Sequence, residues 1–227
     1  MIRVIIDAFR NGEPAQAMIA LASLAMILLV SMPVHEFAHA WTAHKLGDDT
    51  ARLAGRMTVN PSAHLSLLGS LMIIIAGFGF AKPVPVNINN LKNGKSSFAL
   101  VSVAGPISNL IMGFAGLIFL EFFNAVLSPS STAAFVVYLF FLYFARINIS
   151  LAVFNLIPLP PLDGSRLLGL VIPDKYYYLI LKYERYIMIA VLLLLYIGVL
   201  DRPLSWLTGV VYGAFDWIAK LMFAWIR

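Results

Sequence analysis

The chain has 227 residues, 61% of them hydrophobic and 12% charged, with a mean hydropathy of +0.87 and a formal net charge of +5. An average soluble domain carries about 25% charged residues, so this composition excludes one and points to an integral membrane protein. In such a chain the surplus of Lys and Arg reports which loops face the cytoplasm, and no nucleic-acid partner is expected.

Arg3, Asp7, Arg10 and Glu13 are spread over an amphipathic N-terminal stretch with no basic n-region leading to a small-residue cleavage site. The first apolar segment is therefore expected to be retained. Pro14 to Val34 carries no charged side chain, and about 20 apolar residues suffice to cross a bilayer as a helix. The helical pattern runs from Ala15 to Leu46, where Gly47 and the Asp48-Asp49 pair signal a stop. That is roughly 32 residues, about 48 Å of helix. His35 falls about 30 Å along it, submerged but nearer the exit face, and Pro33 is placed to kink the helix one turn earlier.

Met57 to Ala81 also lacks Lys, Arg, Asp and Glu, but Asn60-Pro61, His64, Gly69, Gly77 and Gly79 make poor material for one regular span. Short β-like pieces flank its apolar centre, Arg56 to Val59 before and Val84 to Asn87 after. The segment reads as re-entrant, which irregular backbone at membrane depth permits only inside protein or along a wet cavity. Ser96 to Leu120 is a spanning helix with Gly105, Asn109 and Gly113 on one face, where small residues admit another helix and the Asn109 amide would find an interhelical partner. Ala133 to Phe154 forms the next span, interrupted by Arg146 and Asn148, and ends in the proline-broken run Asn155 to Gly164. Lys175 to Leu200 makes a further helix closed by Asp201-Arg202-Pro203. The last residues, with Gly209, Gly213 and the Asp216/Lys220 pair, suit either a span or an interfacial helix.

The expected fold is an all-α polytopic membrane protein of about 4–6 transmembrane helices, with a re-entrant, partly β-like segment around residues 57–90. No linker, low-complexity tract or repeat divides it. Residues 1–227 are expected to form one integral-membrane domain, with a core of about 15–170 and C-terminal helices over about 175–226.

The chemistry concentrates in His35-Glu36-Phe37-Ala38-His39. Two histidines four apart lie on one helix face about a turn from each other, the spacing for two imidazoles on one zinc ion, and the intervening glutamate can act as general base on water beside the metal. Without Cys there are no thiolate sites, so further ligands must be His or carboxylate. A catalytic zinc takes a third protein ligand. Asp163 is the best candidate, since a carboxylate between broken backbone and glycine in apolar surroundings is costly unless paired or coordinated. The alternative role for Asp163 is capping the segment Ser165 to Val171. For the histidines it is a structural or proton-handling cluster.

One metal site also constrains topology. If Met57 to Ala81 crossed the bilayer, Asp163 would emerge opposite the histidines; if the segment re-enters, Asp163 returns to their side. That side would then carry Lys45, Arg52, Arg56, Lys82, Lys92, Lys95, Arg166 and Lys175, and the other mainly Arg3, Arg10 and Arg202. The positive-inside bias makes the site face the cytoplasm and puts the N-terminus outside.

These stretches resemble the site-2 protease family of zinc intramembrane proteases, in its small type without PDZ or CBS domains. The similarity rests on His35 to His39, Asn60-Pro61 with His64, Gly79 to Pro85, Ala104-Gly105-Pro106 with Asn109, and Asn155 through Gly164, in family order over about residues 30 to 170. The resemblance implies a single Zn2+ held by His35, His39 and Asp163, with Glu36 as the activating base. It implies a site role for Asn155, either hydrogen-bonding the developing oxyanion or supporting the ligands. Its His64 position suits a cleft-lining side chain or one satisfied by backbone, while His44 is a helix-end residue apart from the metal. Phe80 stands where many relatives have tryptophan.

The implied activity is endopeptidase cleavage in or beside a transmembrane segment of a membrane-protein or peptide substrate, in a multi-pass cell-membrane protein. A helical substrate must unwind, and Met57 to Val59 or Val84 to Asn87 would accept it as an added strand. The rival readings are a zinc-binding membrane protein that does not cleave and a metal or proton transporter, although transporters tend to show inverted repeats absent here.

Overall fold

The computed structural model describes residues 6–7, 10–12, 14–67, 69–71, 82–127 and 132–224. Among them every regular element is helical. Three helices are long and apolar enough to cross a membrane, Ala17–Lys45, Gly94–Ala125 and Ala134–Asn155, with a fourth possible from a pair bent by 86°. The chain divides into two compact units, Met1–Gly105 with Gly169–Val171, and Pro106–Leu168 with Ile172–Arg227.

In the first unit the long N-terminal helix consists of α1 (Pro14–Met26), a π-helical turn (Ile27–Ser31) and α2 (Met32–Lys45). The π turn sits directly before Pro33. A proline cannot donate to the carbonyl four residues back and its ring collides with it; a wider turn relieves that collision, and such turns recur at functional sites. Helicity therefore persists where a kink was expected. Gly47 ends α2 as anticipated, with a φ of +105° that L side chains avoid.

Beyond α2 come the short helices α3 (Thr50–Leu53) and α4 (Pro61–His64) and a 3-10 turn at Ile88–Asn90. Asp48 is wholly buried and ties this region together. Its carboxylate accepts from the Thr50 amide and hydroxyl, the Asn90 side chain and the Asn87 amide. Ala43, Leu91 and Val101 form an apolar cluster beneath it, with Leu46, Val86 and Phe98 packed around. The flanks expected to be β-like join no strand pairing among the described residues. Residues 72–81, the heart of the expected re-entrant segment, lie outside the description, as do Gly79 and Phe80.

Helix α5 (Gly94–Leu127) starts earlier and ends later than the sequence pattern indicated, and α6 (Thr132–Asn155) continues through Arg146 and Asn148 without interruption. Arg146 stacks over the Tyr212 ring, 5.3 Å from its centroid, and Asn148 donates to the Phe144 carbonyl, so neither forces a break. The second unit's core joins Leu117 and Leu120 of α5 to Ala145, Ile149 and Val153 of α6 and to Ala219. Lipid tails are as apolar as these side chains, so close packing rather than escape from water drives their contact. Gly113 shows the requirement: a Cβ there would lie 2.7 Å from Ile149 Cγ1.

After α6 the chain passes through the Pro-rich run to a 3-10 turn (Asp163–Leu167) and α7 (Leu168–Val171). The helix expected over Lys175 to Leu200 is broken at Tyr183 into α8 (Asp174–Lys182) and α9 (Glu184–Ile197). Gly198, at a φ of +83°, closes α9, and α10 (Asp201–Met222) follows; α9 and α10 are the bent pair. Around Gly209 and Gly213 a Cβ would meet nothing within 4 Å among the described residues.

Candidate metal centre

His35 and His39 lie one turn apart on α2 and both are buried. Their rings meet edge to face with centroids 4.6 Å apart, and their Nε2 atoms are 3.0 Å apart. Two nitrogens bound to one tetrahedral zinc at the usual 2.0–2.1 Å would lie about 3.3 Å apart, so the pair fits that ion with a shift of a few tenths of an ångström. His39 Nδ1 donates to the Val101 carbonyl at 2.7 Å. That bond fixes the tautomer and leaves the Nε2 lone pair for a metal, the usual way a protein orients a histidine ligand.

Gly105 faces the same atoms. A Cβ there would sit 2.4 Å from His39 Nε2 and 2.6 Å from His35 Nε2 and Cε1, so only glycine leaves the ligand nitrogens their space. From the sequence Gly105 read as a small residue for helix packing; its following Pro106 was the available signal that this turn of helix is special.

Glu36 points away from the imidazole pair by its register and accepts a hydrogen bond from the Val84 amide at 3.2 Å. The carboxylate is thereby tied to backbone from the far side of the segment that begins after His64.

Asp163 opens the 3-10 turn that follows the Pro-rich run, and Leu162, not Asp163, occupies the cap position there. Gly164 beside it lies so close to the chain's own return that a Cβ would fall 2.2 Å from the Leu156 carbonyl oxygen. Only a glycine lets the backbone fold back there. His35 and His39, in the first unit, offer two imidazole nitrogens, and Asp163, in the second, offers a carboxylate. Two neutral imidazoles and one carboxylate are a donor set that suits zinc.

The other nominated residues have different partners. Asn155, at the end of α6, donates through Nδ2 to the Leu151 carbonyl at 3.0 Å, which leaves its second N–H and its oxygen for other work. His64 is buried and its Nε2 bonds to the Thr58 carbonyl at 2.7 Å, the backbone-satisfied role. His44 pairs with Asp49, which also binds Arg52, away from the metal group as expected.

A zinc-competent histidine pair with an adjacent glutamate, on a helix apolar enough to cross a membrane, defines a membrane-embedded metallopeptidase. The Peptidase family M50 profile matches residues 124–197, a stretch that contains Asn155 and Asp163 but not the histidine motif. The YwhC protein of Bacillus subtilis, named as a zinc metalloprotease, is 45% identical over 152 residues, covering 66% of this chain and 69% of that protein. Rip2 of Mycobacterium tuberculosis, named likewise, is 27% identical over 216 residues, 92% of this chain and 80% of its own length. The zinc metalloprotease MJ0392 of Methanocaldococcus jannaschii is 27% identical over 158 residues, or 70% of this chain and 37% of that protein. No solved structure matches the chain. The chain belongs to peptidase family M50, the site-2 protease family, and is a zinc-dependent intramembrane protease.

Proposed function

We propose that His35, His39 and Asp163 are the three zinc ligands of this protease and that Glu36 is its general base, within one protease domain spanning residues 1–227. The observation that carries the reading is the pair of Nε2 atoms 3.0 Å apart, one of them oriented by the Val101 carbonyl, with the Glu36 carboxylate one residue along. Zinc, when bound, supplies the Lewis acid. Glu36 takes a proton from the attacking water, whose oxygen bonds to the scissile carbonyl carbon. As the C–N bond breaks, Glu36 returns that proton to the leaving nitrogen. Asn155 offers its second N–H to the oxyanion that develops, a bond that strengthens as charge builds on that oxygen.

The substrate is a transmembrane protein or peptide, cleaved in or next to its membrane segment. It pairs as an extended strand with Met57 to Val59 or with Val84 to Asn87, edges that keep some groups for their own fold: the Thr58 carbonyl goes to His64, the Val84 amide to Glu36 and the Asn87 amide to Asp48. Val59→Pro would then slow cleavage of a helical substrate, and an unchanged rate would count against pairing at the first edge. The site faces the cytoplasm with the N-terminus outside, on the loop charges alone. Re-entry of the segment after His64 is supported by its two ends, where the Lys82 amide donates to the His64 carbonyl at 2.8 Å. A stretch whose ends touch leaves and returns at one depth.

Zinc analysis of purified protein tests the ligand set. Wild type should hold about one zinc per chain and Asp163→Ala much less, as expected when one of three protein ligands is lost. Full zinc content in Asp163→Ala would remove it from the set.

A further inference from the structure

Arg56 is a buried cation that the reaction itself does not employ. Its Nη1 donates to the Ala63 carbonyl, and its Nη2 donates to the carbonyls of Lys82 and, at 3.2 Å, Pro83. One guanidinium thus binds both ends of the stretch between His64 and Lys82, beside the Lys82 to His64 backbone bond. Among the described residues no carboxylate pairs with it. A buried charge held only by carbonyls, with Nε left without a partner among the described residues, is expensive, and what it fixes is the backbone immediately before Val84. Val84 in turn supplies the amide that holds Glu36.

We infer that Arg56 is a positioning residue for the general base. By clamping the carbonyls of Lys82 and Pro83 it aims the Val84 N–H at Glu36 Oε2, and so sets where that carboxylate stands relative to the histidine pair. This rests on the reading of Glu36 as the base. It predicts that the Arg56 effect runs through Glu36 and disappears when Glu36 cannot perform its role. Pro83 suits the arrangement, since its fixed φ stiffens the link between clamped carbonyl and donating amide.

The test uses the full chain in detergent, loaded with Co2+ for absorption spectra and with Zn2+ for cleavage of fluorescently labelled casein. Arg56→Ala should shift the cobalt bands without loss of bound cobalt and lower kcat about 10- to 100-fold with KM little changed, the scale of one hydrogen bond to a charged group. Arg56→Lys should recover part of both. Val84→Pro, which removes the donating amide and leaves Arg56 in place, should reproduce the shift and keeps the test sharp if Arg56→Ala folds poorly. In the Glu36→Ala background, which removes the acceptor of the Val84 N–H, Arg56→Ala should move the bands no further.

Wild-type cobalt bands in both Arg56→Ala and Val84→Pro would overturn the inference. So would an Arg56→Ala shift that persists undiminished in the Glu36→Ala background, because the clamp would then act elsewhere. Cleavage that survives in Glu36→Gln alone would instead overturn the reading of Glu36 as base, whatever the Arg56 variants do.

Discussion

Gly105 carries more of the site than its size suggests, because it leaves the space in which His35 and His39 present their nitrogens. Gly105→Ala puts a Cβ within 2.6 Å of both rings, a contact that forces an imidazole out of place. The expected outcome is loss of most bound zinc with the helices intact, read by metal analysis beside circular dichroism; full zinc occupancy would contradict it. The contrast with His35 and His39 shows what a sequence can disclose. Two histidines and a glutamate at helical spacing announce their chemistry because the spacing itself is the geometry. Gly105 and the Val101 carbonyl act from a distant stretch of chain, and a backbone carbonyl has no residue type to betray it. Asp163 stood between these cases, nominated by the cost of a carboxylate in apolar surroundings rather than by a spacing.

Among the elements, the helix through the histidines was legible down to its stop at Gly47, while its π turn was not. Pro33 demanded an accommodation, but a kink and a widened turn answer the same missing hydrogen bond. The break at Tyr183 was hidden for a different reason: Lys182, Glu184 and Arg185 around it are good helix formers, and no Gly or Pro marks the boundary. The loop after Gly47 offers the clearest energetic test. Burial alone would raise the pKa of Asp48, but its bonds from Thr50, Asn90 and Asn87 outweigh that and hold it below the usual carboxylate value. A depressed folded-state pKa means the contribution is complete above the unfolded value of about 3.9 and is lost as pH falls through the folded one. Asp48→Ala should cost on the order of 3 kcal/mol by stranding four donors. Thermal unfolding in detergent should show the wild type losing stability below about pH 4 and the variant responding less to acid. Equal acid sensitivity in both would remove Asp48 from that role.

At the scale of the whole molecule, composition settled the membrane class and apolar length located the three long helices, with three to four candidate spans among the described residues beside the 4–6 expected. Segments without long apolar runs, such as α8 with its three tyrosines, depend on tertiary surroundings that periodicity does not encode. The proposed orientation is open to direct mapping, since the chain has no Cys and single cysteines introduce unique labels. Cysteines at Thr50 and Asn93 should react with an impermeant maleimide from the cytoplasmic side of vesicles, and one at Arg202 from the opposite side. Labelling of Thr50 and Arg202 positions from one side would refute the topology. The central claim, that this chain hydrolyses peptide bonds with Glu36 as base beside a zinc held by His35 and His39, meets its most direct test in Glu36→Gln. Zinc content and cleavage of a membrane-protein substrate are measured on the same purified sample. The account predicts about one zinc per chain and no cleavage, and continued cleavage by that variant would contradict it.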